Sequence, residues 1–125
     1  MSAAIDKYKS LVEKLYERTT EKNLSWDYDA DDKWVYIGIA GRTLFVEEKK
    51  NDDLEPIIEI DIRSGSGDDS RSEIFTDETL DGKPSIAEFS TYYELMASLY
   101  NMAKRQATGA DEDVDAILSE LNSYF

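Results

Sequence analysis

Residues 25–41 read SWDYDADDKWVYIGIAG, with aspartates at 27, 29, 31 and 32 leading straight into an apolar run. Acids at alternate positions are how a calcium-binding loop begins. Such a loop takes oxygen ligands at its first, third and fifth positions, glycine at the sixth and a bidentate glutamate at the twelfth. Asp27, Asp29 and Asp31 meet the first three demands, but the sixth position is Asp32 and the twelfth is Gly38. The two unmet positions are the ones that allow the sharp turn and the two-oxygen ligation. The sequence therefore predicts no specific calcium site, no other metal and no cofactor.

The same residues fit an alternating strand better. Leu24, Trp26 and Tyr28 then point one way, Asp27 and Asp29 the other, and Asp31-Asp32-Lys33 makes the turn. Outward aspartates about 6.8 Å apart suit an edge strand that resists further pairing. A second alternation, Ile58, Ile60 and Ile62 against Glu59, Asp61 and Arg63, places Glu59 and Asp61 outward as well. Rows of fixed carboxylates on adjacent strands could occupy a basic groove that normally holds nucleic acid. Asp27, Asp29, Asp31, Glu59 and Asp61 are thus candidate partner-binding residues.

Catalytic chemistry finds little to work with. The chain has no histidine and no cysteine, which rules out Ser-His-Asp and Cys-His nucleophile arrangements and the usual zinc ligand sets. Neither phosphate-binding glycine motif occurs, and Gly65-Ser66-Gly67 is followed by Asp68 and Asp69, which repel phosphate. No carboxylate pair is marked as a glycosidase pair. The sequence predicts a protein that is not an enzyme.

A chain of 125 residues is the length of one domain, and it buries roughly 65–70% of its unfolded surface. Its net charge of −14 is uneven. Residues 1–22 hold five bases and four acids, residues 23–86 seven and 17, and residues 87–125 two and seven. Such a surface repels nucleic acid and anionic membranes and attracts basic proteins. No apolar run reaches the length of a membrane span, and the charged N-terminus lacks the apolar core of a secretion signal. A cytoplasmic location is expected, and the lack of cysteine fits it.

Periodicity gives the elements. Ile5, Tyr8, Val12 and Leu15, widened by Leu11 and Tyr16, form the stripe of a helix over 3–22. A strand-rich stretch covers 24–76, with WVYIGIA apolar on both parities as in a central strand, Pro56 at a strand start and SEIFT as a short fifth strand. Residues 77–90 connect to helices over 91–108 and 111–123, the first with Thr91 and Glu94 at capping-box spacing and Gly109 at its end. Tyr92, Leu95, Met96, Leu99, Met102 and Ala103 make one stripe, and Val114, Ile117, Leu118 and Leu121 the other. Segregated strands and helices predict an α+β fold: an N-terminal helix, an antiparallel meander of four to five strands, and two C-terminal helices packed on one sheet face.

Eight tyrosines, three of them within 92–100, raise a second kind of surface. Tyr93, Tyr100 and the terminal Phe125 are candidates for an exposed aromatic patch that docks a partner or a second copy of the chain. The sequence therefore predicts a small acidic protein-binding module or adaptor. Its partner would be a protein with a basic surface, with no direct nucleic acid or membrane binding, and homodimerisation is open to it. The alternative is a nucleic-acid mimic that inhibits a DNA- or RNA-handling protein, of the type found in phages and mobile elements.

Overall fold

The computed structural model describes residues 3–123. The element order is α1 (Ala3–Thr20), β1 (Asp27–Asp29), β2 (Trp34–Ile39), β3 (Arg42–Lys50), β4 (Pro56–Ser64), β5 (Arg71–Thr76), α2 (Tyr92–Thr108) and α3 (Ala110–Asn122). The fold is α+β, with the five strands forming an antiparallel meander in sequence order.

Each connection has a local cause. Between β2 and β3, Ala40 and Gly41 both take positive φ, 54° and 74°. Two such residues make the primed hairpin turn that matches the twist of paired strands. In the β3–β4 loop, the Asn51 side-chain oxygen accepts from the backbone N–H groups of Asp53 and Glu55. That internal bonding is why asparagine serves as the turn signal. At the end of α1, the Asn23 N–H reaches back to the Arg18 carbonyl and Lys22 adopts φ 61°. This is a left-handed helix stop built without glycine.

The core lies on one face of the sheet. Val35, Ile37, Leu44, Val46, Ile58, Ile60 and Phe75 pack there against Val12 and Leu15 of α1 and Tyr92, Leu95, Met96, Leu99 and Ala103 of α2. Tyr8 of α1 stacks on Phe75 with ring centroids 4.1 Å apart. The connecting segment 77–90 closes the edge of this core with Leu80 and Phe89, and Phe89 meets the Tyr16 ring edge-on at 5.1 Å. Deep in the core a buried hydroxyl pairs Thr19 with Trp26: the indole Nε1–H donates to Thr19 Oγ1 at 3.0 Å. Thr19 falls outside the apolar stripe legible in the sequence and is fully buried.

Asp77 replaces a strand partner. The ladder between β4 and β5 ends at Glu59 and Thr76, and the next free donor, the Ile58 N–H, donates instead to Asp77 Oδ1 at 2.7 Å. Burial raises the Asp77 pKa, and the bond from Ile58 opposes that rise without cancelling it. An acid whose pKa is higher folded than unfolded binds its proton more readily in the folded chain, so its contribution to stability falls as pH rises through that window. Asp77→Asn keeps an oxygen acceptor and should remove this pH dependence. Asp77→Ala should cost about 1–3 kcal/mol, because it leaves a buried N–H unpaired. Denaturant titrations of the three chains between pH 3 and 7 check both the slope and the offset.

The last helix departs from the expected packing. The α2 helix lies across β1 to β4, whereas α3 meets α2 at their junction and buries none of its residues. Gly109, at φ 76°, ends α2 by donating its N–H to the Arg105 and Gln106 carbonyls, and its own carbonyl accepts the Asp113 N–H to start α3. A single left-handed residue thus turns the chain away from the sheet before the second stripe can dock.

Candidate functional site

The register divides the sheet into a covered face and an open one. Pairing sets Asp27, Tyr36, Phe45, Asp61 and Ile74 in one row across all five strands. Asp29, Trp34, Glu47, Glu59 and Thr76 form the next row. Side chains of one parity share a face, and these residues lie opposite the helices. Asp27, Asp29, Glu59 and Asp61 therefore do share a surface, as their alternation predicted.

They are not, however, a uniform row of free charge. Asp29 serves the β1–β2 turn: its Oδ1 accepts the backbone N–H groups of Asp31 and Asp32, at 2.9 and 3.1 Å. Asp31 is exposed in that turn, beyond the end of β1. Lys49 bridges Glu47 and Glu59, at 3.2 and 2.9 Å. Those two carboxylates hold the Lys49 pKa above its usual value. Asp61 is buried, 8% exposed, and its Oδ2 accepts from Arg63 Nε at 3.0 Å. Among the described residues, Asp27 is the one of these four carboxylates that is exposed and serves neither the turn nor an ion pair, so the surface is half neutralised from within. The aspartates of the opening segment build a turn and an edge. Among the described residues no group of three or more acidic side chains is arranged to hold a metal ion.

The aromatic candidates are placed differently from their prediction. Tyr100 is buried against the core, and its hydroxyl donates to the Lys33 carbonyl at 2.8 Å, clamping the aspartate turn to α2. Burial raises its pKa. Tyr93 is half-buried and packs against the core. The broad stripe of α2 is fully used because the helix crosses four strands, which covers both neighbouring faces. Phe125 lies outside the described residues. Half-buried aromatics lie elsewhere, on the open sheet face. There Trp34 and Tyr36 of β2 flank Phe45 of β3 with centroids 4.8 and 5.9 Å away. β2 has strands on both sides but helices over only one face, so its second apolar parity is left half-exposed.

Among the described residues, the exposed large apolar side chains cluster on α3. Val114, Ile117, Leu118 and Leu121 are 47%, 61%, 51% and 52% exposed. Their i, i+3, i+4, i+7 spacing places them on one side of the helix. No family model, curated protein or solved structure matches this chain. The geometry of α3 and of the open face therefore carries the functional argument alone. The helix has five acids and no base. One of them, Asp111, is held by Arg105 of α2 at 2.6 Å. The rest of its polar surface stays strongly negative beside a bare aliphatic stripe. No helix among the described residues is long and apolar enough to cross a membrane.

Proposed function

We propose that the chain is a small acidic, non-catalytic protein-binding module of the cytoplasm, and that α3 is the segment it offers to a partner. The observation that carries this reading is the unburied stripe of Val114, Ile117, Leu118 and Leu121 on a helix whose charges are all negative. A short amphipathic helix with anchors at this spacing is what a hydrophobic groove receives. The acids fix the kind of groove: apolar along its floor and rimmed by lysine and arginine. A second copy of the chain is a poor occupant, because pairing α3 with α3 brings five carboxylates from each copy together with no base on either helix. The open sheet face is no better for α3, since five carboxylates there outnumber Lys49 and Arg63.

A nucleic-acid mimic has the shared face of Asp27, Asp29, Glu59 and Asp61 in its favour. Against it stands the pairing of Glu59 with Lys49 and of Asp61 with Arg63, which removes charge where a decoy needs it.

The test uses the intact chain and the double variant Ile117→Asp with Leu118→Asp. Sedimentation should show a monomer in both. A host protein retained by the wild-type chain should be purified and titrated by calorimetry. The double variant should bind it at least thirtyfold more weakly, the equivalent of about 2 kcal/mol for a hot-spot anchor, and rising salt should weaken the wild-type complex. Thermal melting should match between the two chains. Equal affinity for both chains overturns the reading, as does a wild-type dimer that the substitutions make monomeric.

A further inference from the structure

A second site lies on the open sheet face, independent of α3. Asp61 occupies the middle of the sheet between Phe45 and Ile74, its register partners on β3 and β5. It is 8% exposed, and its Oδ1 is buried with no hydrogen-bond partner among the described residues. A buried carboxylate oxygen without a donor is rare, because losing water without a replacement bond is costly. The donor that is present is used only in part. Arg63 reaches Oδ2 through Nε alone, although a guanidinium can meet a carboxylate with two parallel N–H bonds. Its guanidinium carbon lies 4.5 Å from the Phe45 ring centroid and 5.6 Å from that of Trp34. Its side chain is nevertheless 49% exposed, so it covers the site without being locked into it.

We infer that this is a binding site for an arginine side chain of a partner protein, and that Arg63 is its internal, displaceable occupant. The chemistry selects arginine over lysine. A planar guanidinium can lie on the faces of Phe45 and Trp34 and offer two in-plane donors to Asp61, whereas an ammonium is a single strongly hydrated point. Charge complementarity points the same way: Asp27, Asp29, Glu47, Glu59 and Asp61 face outward with Lys49 and Arg63 as the counter-charges. A partner's arginine arrives with no tether to β4. It can take the fork orientation that satisfies both Asp61 oxygens, while Arg63 swings into water. As long as Arg63 holds the site, the partner's apparent affinity is reduced by the fraction of time the site is occupied.

That competition gives the test its sign. Three short capped peptides are titrated, identical except for one central arginine, lysine or citrulline, at physiological salt. The readouts are the Trp34 indole N–H signal and, in the wild-type chain itself, the Arg63 Nε–H signal. The arginine peptide should shift both, and the lysine and citrulline peptides should bind about tenfold more weakly or not at all. Arg63→Ser should bind the arginine peptide about tenfold more tightly, as expected if Arg63 occupies the site about nine-tenths of the time. Asp61→Asn should abolish the difference between the arginine and lysine peptides. If Arg63→Ser folds poorly, the wild-type Arg63 signal still decides. A peptide-induced shift of Trp34 that leaves Arg63 unmoved overturns the proposal. Equal binding of arginine and lysine peptides does so too, since it means simple attraction to a charge of −14.

Discussion

Leu99→Ala lowers the unfolding free energy by about 2–5 kcal/mol, while Leu118→Ala lowers it by less than about 0.5 kcal/mol. The substitution is the same and the helices adjoin. Leu99 is fully buried beneath the sheet, so removing its terminal carbons leaves a cavity lined by neighbours that cannot close over it. Leu118 is 51% exposed, and its removal leaves only water-facing surface. Alanine is also the better helix former, which offsets part of any loss at position 118. Chemical denaturation of the two variants against the wild-type chain measures both values. A loss of 2 kcal/mol or more at Leu118 means α3 is docked on its own chain and removes the basis for its role in binding.

Gly65→Ala costs about 2–4 kcal/mol, against about 1 kcal/mol for Gly67→Ala in the same loop. Both glycines have positive φ, 80° and 58°. Placing an alanine in that region carries a strain of roughly 1 kcal/mol at either position. They differ in what a methyl group would meet. At Gly67 nothing lies within 4 Å, while at Gly65 the new carbon would overlap the Asp69 carbonyl oxygen and fall 3.0 Å from its carbon. Backbone cannot rotate aside as a side chain can, so the short 3-10 turn over Gly67–Asp69 must shift, together with the start of β5. Melting temperatures of the two variants provide the comparison. Equal shifts would mean the loop relaxes freely and the contact carries no cost.

The parts of this fold that were legible in sequence are those set by neighbours along the chain. The alternation of Ile58, Ile60 and Ile62 fixed a strand and its faces. Thr91 accepts the Glu94 N–H at 3.2 Å, and Gly109 ends α2 in the left-handed conformation, as their spacing predicted. What stayed hidden depends on contacts far apart in sequence. Nothing near Tyr100 marks the Lys33 carbonyl as its partner, so the residue read as free surface. Thr19, Leu80 and Phe89 are core members whose positions follow no period. The stripe of α3 shows the deeper limit. Its period is the same as that of α1, and a period states that a helix has an apolar side without stating what lies opposite. On the open face, alternation placed Glu59 and Asp61 correctly, but the cations that neutralise them sit two residues along or on the next strand. Charge counting treats those as background.

The left-handed joint at Gly109 divides the chain into two histories. Upstream, nearly every apolar residue is answerable to several others, so a change at one position demands changes at its neighbours before the chain folds again. Downstream, Val114, Ile117, Leu118 and Leu121 stay about half-exposed and belong to no buried core among the described residues. They can drift, or be replaced as a block, at no cost to the sheet. Folding and recognition can then evolve at separate rates, and related chains could share the scaffold closely while diverging most in their final helix.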